Sequence, residues 1–496
     1  MSLTSKTFRG ASWIGAASIL KMLLKVFSVS ILARVLSPEE YGIVTATMVV
    51  VELAMMFADA GFGAAIIQKQ DIRKKHIATG FFVTLLLSVA FSVLFYVSAQ
   101  LLADILKVPE LSEISRYLFC YLIFRVTYIY ISSILAKEYL AKQIALSETI
   151  SWFFGNYLVI IPLAFAGFSY WSIVIGTIVE AAVLLMLGAF YARNMLEWPK
   201  FDQKAFHELY PLALRFAAGR PVNFLSTNVD RFCISNTLGV QDLGLYSRAA
   251  FLTKTVSSLF GSMLKSTAFP SLSSIQADRQ RLTSAVYRGL EFTAYLTIPI
   301  GTLSYLFSQE IILILLGEDW LSAITPFAIL ALGFYPRLGQ RTLSVVFTAI
   351  GKPFLLVPIN LMTVAFVVAG VYFLREDGLI CITASIVASI WLSYFISIII
   401  VMSILNMDLI LILKLHIRPI LISIFIVIVS IMLRIFMINL EGYWILFVLG
   451  VSVLAVIIPL AYVFPSLVFG PRMLELLAKL NLDKYFRRFG FNNAHD

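Results

Sequence analysis

Residues 220–231, RPVNFLSTNVDR, hold Arg220, Asn223, Thr227, Asn228, Asp230 and Arg231 inside a chain that is otherwise mostly hydrocarbon. Guanidinium groups interleaved with amides and hydroxyls suit phosphate or carboxylate oxygens, because the planar fork of arginine meets two oxygens at once. On a helix, Arg220, Asn223, Thr227 and Asp230 or Arg231 follow one another at intervals of three or four residues and make one polar stripe.

Other segments repeat the pattern. Ser247, Lys254, Ser258 and Lys265 share a face of the next segment, with Arg248 beside them. Lys21, Lys25 and Ser28 share a face of the first apolar segment, and Thr45, Glu52 and Asp59 recur every seven residues in the second. Arg125 and Glu180 sit singly in later segments. Folding consecutive segments antiparallel sets Lys25 level with Glu52, Lys21 within about a turn of Asp59, and Arg231 level with Arg248. A charge at the centre of a bilayer costs roughly 2.5 kcal/mol or more, so each is expected to face a partner or water. Lys21, Lys25, Arg125, Arg220, Arg231, Arg248 and Lys254 are the candidates for a cationic substrate-binding cavity. Glu52, Asp59 and Asp230 are candidates for ion coupling or structural pairs, and Lys25–Glu52 reads equally as a tie between two helices. Arg215 and Lys265 lie near segment ends, where a long side chain can snorkel to the interface.

The segments that must position these groups are membrane helices. Of 496 residues, 60% are hydrophobic and 13% charged, with mean hydropathy +0.92, whereas soluble domains are about a quarter charged. Continuous apolar runs of about 20 residues indicate helical spans rather than the short alternating strands of a barrel. The expected fold is all-α and polytopic, with about fourteen spans near 10–35, 41–65, 78–103, 115–136, 146–166, 170–192, 210–236, 243–269, 288–308, 321–348, 353–374, 378–403, 415–437 and 442–465. Loops on one side, including QKQDIRKKH and PRLGQR…GK, hold about 24 Lys/Arg and those on the other about 3. That bias places both termini in the cytoplasm and accounts for the net charge of +10 without nucleic acid. The first apolar run, interrupted by Lys21 and Lys25, does not read as a cleaved signal peptide. Cys120, Cys233 and Cys381 lie within spans and suit no disulfide framework, and four scattered histidines suggest no metal site and no cofactor. Pro162, Pro221, Pro299, Pro326 and Pro358 are expected to break spans, and GFGAA (61–65) to permit close packing. The tail after Pro471, with Leu474, Leu477 and Leu480, reads as an amphipathic helix on the inner leaflet or as a solubilising tail.

LARVLSPEEYGIV (32–44) and ISNTLGVQDLGLY (234–246) match at an offset of 202 residues, pairing Leu36 with Leu238, Glu40 with Asp242 and Gly42 with Gly244. Two pseudo-symmetric six-helix lobes follow: an N-lobe at 1–193, a linker at 194–209, a C-lobe at 210–403, two further helices at 404–466 and the tail at 467–496. Parallel repeats of this kind enclose a central site and rock against each other. No Walker A loop, dinucleotide fingerprint, HExxH or GxSxG occurs, and the loops are too short to carry an enzyme's site, so transport is expected rather than catalysis.

LARVLSPEEYGIVTATMVVVELAMMFADAGFGAAIIQKQ and NVDRFCISNTLGVQDLGLYSRA resemble the polysaccharide transporter family, within the multidrug, oligosaccharidyl-lipid and polysaccharide exporter superfamily. The resemblance implies a flippase for O-antigen, capsule or exopolysaccharide repeat units carried on undecaprenyl pyrophosphate across the bacterial cytoplasmic membrane. It also implies partnership with membrane lipids and with a polysaccharide polymerase and chain-length regulator, and work as a monomer. A cation-coupled multidrug exporter, a non-transporting scaffold of a polysaccharide assembly complex, and a carrier of lipid-linked peptidoglycan precursor remain alternatives. The aliphatic thirteenth and fourteenth helices are expected to offer a groove for the lipid tail.

Overall fold

The computed structural model describes residues 22–275 and 278–436. Lys21, the expected span near 442–465 and the C-terminal tail lie outside the described residues. Those described form α1 (Met22–Ala33), then α2 (Pro38–Asp59), α3 (Phe62–Gln68), α4 (Lys74–Val97), α5 (Ala99–Leu106), α6 (Glu110–Lys137), α7 (Ala141–Phe153), α8 (Ile161–Phe165), α9 (Trp171–Ala192) and α10 (Gln203–Ala218). There follow α11 (Arg220–Leu238), α12 (Val240–Ser274), α13 (Arg279–Leu306), α14 (Ser308–Leu315), α15 (Ile324–Ala331), α16 (Phe334–Ala349), α17 (Leu356–Leu374), α18 (Gly378–Leu405) and α19 (Leu409–Phe436). A π-helical turn, Phe154–Ile160, joins α7 to α8, and no strand occurs among the described residues.

Seven segments among the described residues are long and apolar enough to cross a membrane, or up to nine if each of two bent pairs is one span, against the fourteen expected. One of the seven, Pro353–Leu405, contains two helices, α17 and α18. Neither α11 nor α12 is among them. Both carry polar stripes, Arg220 to Arg231 on α11 and Ser247 to Lys254 on α12, which lower their mean hydropathy.

Local chemistry explains the breaks, and corrects three expectations. The span expected at 210–236 is two helices. Gly219 caps α11, and Pro221 lies in its first turn, where the missing N–H has no helical partner to lose. Pro299 rides inside α13 without ending it; that helix ends at Phe307 and bends 77° into α14. PRLGQR is not a loop: Arg337 and Arg341 lie within α16, because Pro336 falls in its first turn and Gly339 is buried against the ring of Tyr394. Glu318–Ala331 and Phe334–Ala349 form one apolar stretch bent by 47°.

Two compact units divide the chain. Unit 1 comprises Met1–Arg248, Leu315–Trp320 and Val364–Ile382, and unit 2 comprises Ala249–Ile314, Leu321–Thr363 and Thr383–Asp496. In unit 1, α6 is the central post. Leu111, Ile114, Leu118, Leu122, Val126, Ile131 and Leu135 are at most 1% exposed, and α6 packs against α2, α4, α5 and α9. In unit 2, α13 packs against α15, α16 and α19 around Leu290, Ala294, Leu343, Val346, Phe347 and Val401. Lipid tails are as apolar as leucine, so close approach and polar pairing must select these contacts rather than burial alone.

The closest approach in unit 1 is reciprocal. α2 starts with a capping box, Ser37 Oγ accepting from the Glu40 N–H at 3.3 Å and Glu40 Oε2 from the Ser37 N–H at 2.7 Å. One turn on, a Cβ at Gly42 would lie 1.7 Å from the Val240 carbonyl oxygen, and one at Gly244 would lie 1.8 Å from that of Pro38. Pro38 and Val240, like Gly42 and Gly244, are related by the 202-residue offset. Each repeat segment therefore meets the other through the same two positions, as a local two-fold contact requires.

Gly42→Ala and Gly244→Ala should each cost about 1–3 kcal/mol through overpacking, and the double variant should be non-additive because the sites share one contact. Gly219→Ala, with nothing within 4 Å of its Cβ, should be neutral. Thermal unfolding of the four purified variants in detergent measures these outcomes.

Candidate functional site

In unit 1 the polar stripe of α11 lies along α2. Gly61, at φ +81°, lets the Ala213 carbonyl of α10 approach to 2.4 Å of the position a Cβ would take. The Gly42–Val240 contact fixes the other end. Between these clasps, α2 and α11 run antiparallel, as two pairings across them show and a third contact within α11 extends. Arg220 makes an ion pair with Asp59, whose side chain is 10% exposed. Asn228 Nδ2 donates to Glu52 Oε2 at 3.0 Å. Arg231 Nη1 donates to Asn228 Oδ1 at 3.4 Å, so the amide links that guanidinium to the Glu52 carboxylate.

Asp230 is held differently. Its Oδ2 accepts the Tyr246 hydroxyl at 2.6 Å, and its Oδ1 accepts the Arg231 backbone N–H at 2.9 Å. Arg248 lies 3.4 Å from the centre of the Tyr41 ring, a cation–π contact strengthened by burial. Tyr41 packs edge-on against Trp320 at 5.5 Å, and Trp320 Nε1 donates to the Ala33 carbonyl at 2.8 Å.

Asp59, which folding consecutive segments antiparallel set within about a turn of Lys21, pairs with Arg220 of α11, and Lys21 itself lies outside the described residues. The acids of α2 meet α11 across the repeat, because the glycine clasps decide which helix lies alongside. Lys25 is half-buried on α1, which the Tyr157 hydroxyl holds through the Leu24 carbonyl at 3.0 Å. Arg125 of α6 stands 6.0 Å from the centre of the Tyr128 ring. A cavity of about 280 Å³ opens beside the α2–α11 pairs, lined by Glu52, Arg220, Asn223, Thr227 and Asn228 with Met55 and Met56. It offers a guanidinium, two amides, a hydroxyl and a carboxylate, the inventory for hydrogen-bonding a sugar or an oxyanion.

Unit 2 holds two further features. Lys254, half-buried on α12, lies one turn before Ser257, whose carbonyl accepts Arg341 Nη1 of α16 at 3.1 Å. Arg337 and Arg341 escaped the sequence reading because Pro336 and Gly339 make the run look like a loop. The signal was present in the three- and four-residue recurrence of Arg337, Arg341, Ser344 and Thr348. The second feature is an apolar cavity of about 760 Å³, lined by α13, α16, α18 and α19 residues such as Ile298, Phe395, Leu413 and Ile420. At one wall the Tyr335 hydroxyl bonds Tyr394 Oη at 2.6 Å and His416 Nε2, while His416 Nδ1 bonds the Ile412 carbonyl at 2.8 Å. The carbonyl can only accept, so Nδ1 carries a proton.

The profile of a family described as "Polysaccharide biosynthesis protein" matches residues 31–325. The chain belongs to that family. It is 24% identical over 331 residues to the lipopolysaccharide biosynthesis protein WzxC of Escherichia coli K12, covering 65% of this chain and 66% of that one. It is 28% identical over 314 residues to the succinoglycan biosynthesis transport protein ExoT of Rhizobium meliloti 1021, covering 62% of each. The matches thus span less than two thirds of these relatives. Among solved structures, the fold is similar to the lipid II flippase MurJ in an inward closed conformation. The TM-score is 0.74 at 17% identity, over 91% of this chain and 98% of that one. It is also similar to an inward-facing multidrug resistance MATE family transporter, with TM-score 0.62, 15% identity and coverage of 79% and 99%. The family's architecture here is an all-α, multi-pass membrane protein.

Removing Arg220 leaves the Asp59 carboxylate buried without its cation, a change of about 3 kcal/mol or more. Arg220→Gln should therefore lower the melting temperature and yield more than Asp59→Asn does, and the double variant should recover most of the loss. A double-mutant cycle on the melting midpoint checks the coupling.

Proposed function

We propose that this protein flips lipid-linked oligosaccharide repeat units across the bacterial cytoplasmic membrane for surface polysaccharide synthesis, with both termini in the cytoplasm and undecaprenyl pyrophosphate as the carrier. Family membership supports the pathway. The observation that carries the transport reading is the cavity beside α2 and α11, where Arg220, Asn223, Thr227 and Asn228 face open volume from helices within a membrane bundle. Polar groups there are costly unless they serve a solute or one another.

In this mechanism the two repeats rock in alternating access. Sugar hydroxyls and the pyrophosphate exchange water for the amides and guanidinium groups of the polar stripes. Lys25, Arg125, Arg220, Arg231, Arg248 and Lys254, with Lys21, set an excess of positive charge that favours an anionic cargo. Asp59 and Glu52 hold Arg220 and Asn228 in place between cargoes. The lipid tail lies in apolar surroundings, and the 760 Å³ cavity against α19 supports such a place in unit 2. A polymerase and chain-length regulator receive the product outside, and the transporter itself works as a monomer without catalysing a reaction.

A cation-coupled drug exporter is the second reading, favoured by the likeness to MATE transporters and by the acids of α2. Occupation of Asp59 by Arg220 weighs against it, since a cationic drug would have to displace a guanidinium.

Proteoliposomes loaded with the lipid-linked oligosaccharide of the native pathway test both readings. Sugar should appear at the opposite face at least about tenfold faster than in empty liposomes. Asn223→Leu, at an exposed cavity position, should slow it about tenfold through one lost hydrogen bond without changing the melting temperature. Rates equal to those of empty liposomes, together with ion-driven efflux of a cationic dye, would select the drug exporter. Widened side chains at Leu413 and Ile420, as Leu413→Trp and Ile420→Trp, should slow flipping if the tail uses the apolar cavity.

A further inference from the structure

We infer that the connection from α9 to α10, residues 193–204, is a docking surface for anionic phospholipid headgroups, with Trp198 entering the headgroup layer and Lys200 and Lys204 meeting its phosphates. The inference needs only that the chain spans a membrane, so it goes beyond the transport reading and does not depend on it.

Two spans fix the level of this connection. α9 is long and apolar enough to cross a membrane and ends at Ala192; α4 is so too and begins at Lys74. The connection starts one residue after the end of α9 and is strapped across the start of α4. The Lys200 N–H donates to the Ala78 carbonyl at 3.4 Å. Thr79 Oγ1 donates to the Lys200 carbonyl at 3.3 Å and accepts the Asp202 N–H at 3.1 Å. Thr79 is fully buried, so lifting the strap would leave these groups unpaired. The 24 residues of α4 make about 36 Å of helix, against a hydrocarbon core of about 30 Å. Its first turn, with the strap across it, therefore stands in the headgroup layer.

The strap shows aromatic and basic groups to its surroundings. Pro199 biases Trp198 towards extended backbone, and Trp198 is 90% exposed. Phe201 is exposed as well, yet anchored. It lies 6.0 Å from Phe82 of α4 and 5.6 Å from Phe206 of α10, and Phe206 stacks on Tyr210 at 5.4 Å. An indole this open gains in the headgroup layer, where its ring meets apolar matter and its N–H stays wet.

Charge selects an anionic lipid. The acids of residues 193–208 are Glu197, Asp202 and Glu208. Each faces a lysine of the α3–α4 connection: Lys74 at 2.8 Å, Lys75 at 3.9 Å and Lys69 at 2.7 Å. Asp71 is the one further acid of residues 69–75, and Arg73 offsets its charge. Lys200 and Lys204 are exposed and have no ion-pair partner among the described residues. Arg193 lies 4.8 Å from the centre of the Phe190 ring, a contact that leaves its charge in place. Residues 69–75 and 193–208 together hold seven basic and four acidic side chains, so the surface is positive. Lysines at such a level are drawn to anionic headgroups over about a Debye length.

Brominated lipids test the contact, because bromine quenches indole fluorescence only at close range. The full chain is reconstituted in vesicles of phosphatidylcholine and phosphatidylglycerol in equal amounts, with bromine on the chains of one lipid or the other. The Trp198 signal is the difference between wild type and Trp198→Phe. Brominated phosphatidylglycerol should quench it at least about twofold more than brominated phosphatidylcholine. Sodium chloride at about 0.5 M should shrink that preference by screening. Lys200→Gln/Lys204→Gln should abolish it while leaving the melting temperature in detergent unchanged, since neither ammonium has a protein ion-pair partner. Arg375→Gln, at an exposed position outside the strap, should leave the preference intact. No quenching of the Trp198 signal by either lipid would place the indole in water and overturn the inference. Equal quenching by both lipids in the wild type, or a preference that survives the double-lysine variant, would overturn it by removing the anionic partner. The vesicles contain no oligosaccharide, so neither outcome bears on the transport reading.

Discussion

The carbonyl oxygens of Pro38 and Val240 occupy the space that side chains on Gly244 and Gly42 would fill. The polar pairs between α2 and α11 follow from that approach. With no Cβ at either glycine, the start of α2 and the start of α12 come within backbone contact, and α11, which ends just before Val240, is drawn along α2. At its far end Gly61 admits the Ala213 carbonyl in the same way. Two helices clasped at both ends by backbone contacts have little freedom to slide. Their register brings Arg220 to Asp59, and Asn228 to Glu52. In a membrane, where apolar surface gains little by leaving lipid for protein, such contacts and the pairs they align are what select one arrangement of helices.

The same register separates two jobs that charged groups do in lipid. Asp59 and Arg220 largely satisfy each other, and Arg248 rests on Tyr41 with Trp320 behind it. These charges hold helices together. Asn223 and Thr227, on the same stripe, are exposed to the cavity and are the groups that a moving solute would meet. A stripe of polar residues is therefore part scaffold and part path, divided by which residues the neighbouring helix reaches. In unit 2, α16 carries Arg337 and Arg341 at helical spacing, and the apolar cavity is lined by α13, α16, α18 and α19.

Helix breaks place these faces. Pro221 in the first turn of α11 and Pro336 in the first turn of α16 mark starts rather than kinks, since proline there gives up no helical hydrogen bond. Each start is followed by arginine-bearing polar residues at helical spacing. Ends of membrane helices inside a bundle expose backbone groups that need polar surroundings, so breaks and polar stripes belong together.

Composition and periodicity alone determined that the chain is an all-α membrane protein, that its polar residues form helical stripes, and that two segments 202 residues apart repeat. These are local properties, carried by the residue types and their spacing. The motifs at 32–70 and 228–250 likewise carried the family, because they hold the glycines and acids of the crossing. Tertiary structure decided the partners. Folding segments in chain order gave no hint that Asp59 meets Arg220 of the second repeat; close backbone approach at Gly42, Gly61 and Gly244 brings the two together. The sequence reading put PRLGQR in a loop because proline and glycine carry the same local signal in a turn and in a helix start. What separates the two is whether a ring such as that of Tyr394 fills the space over Gly339, and that depends on a residue 55 positions away.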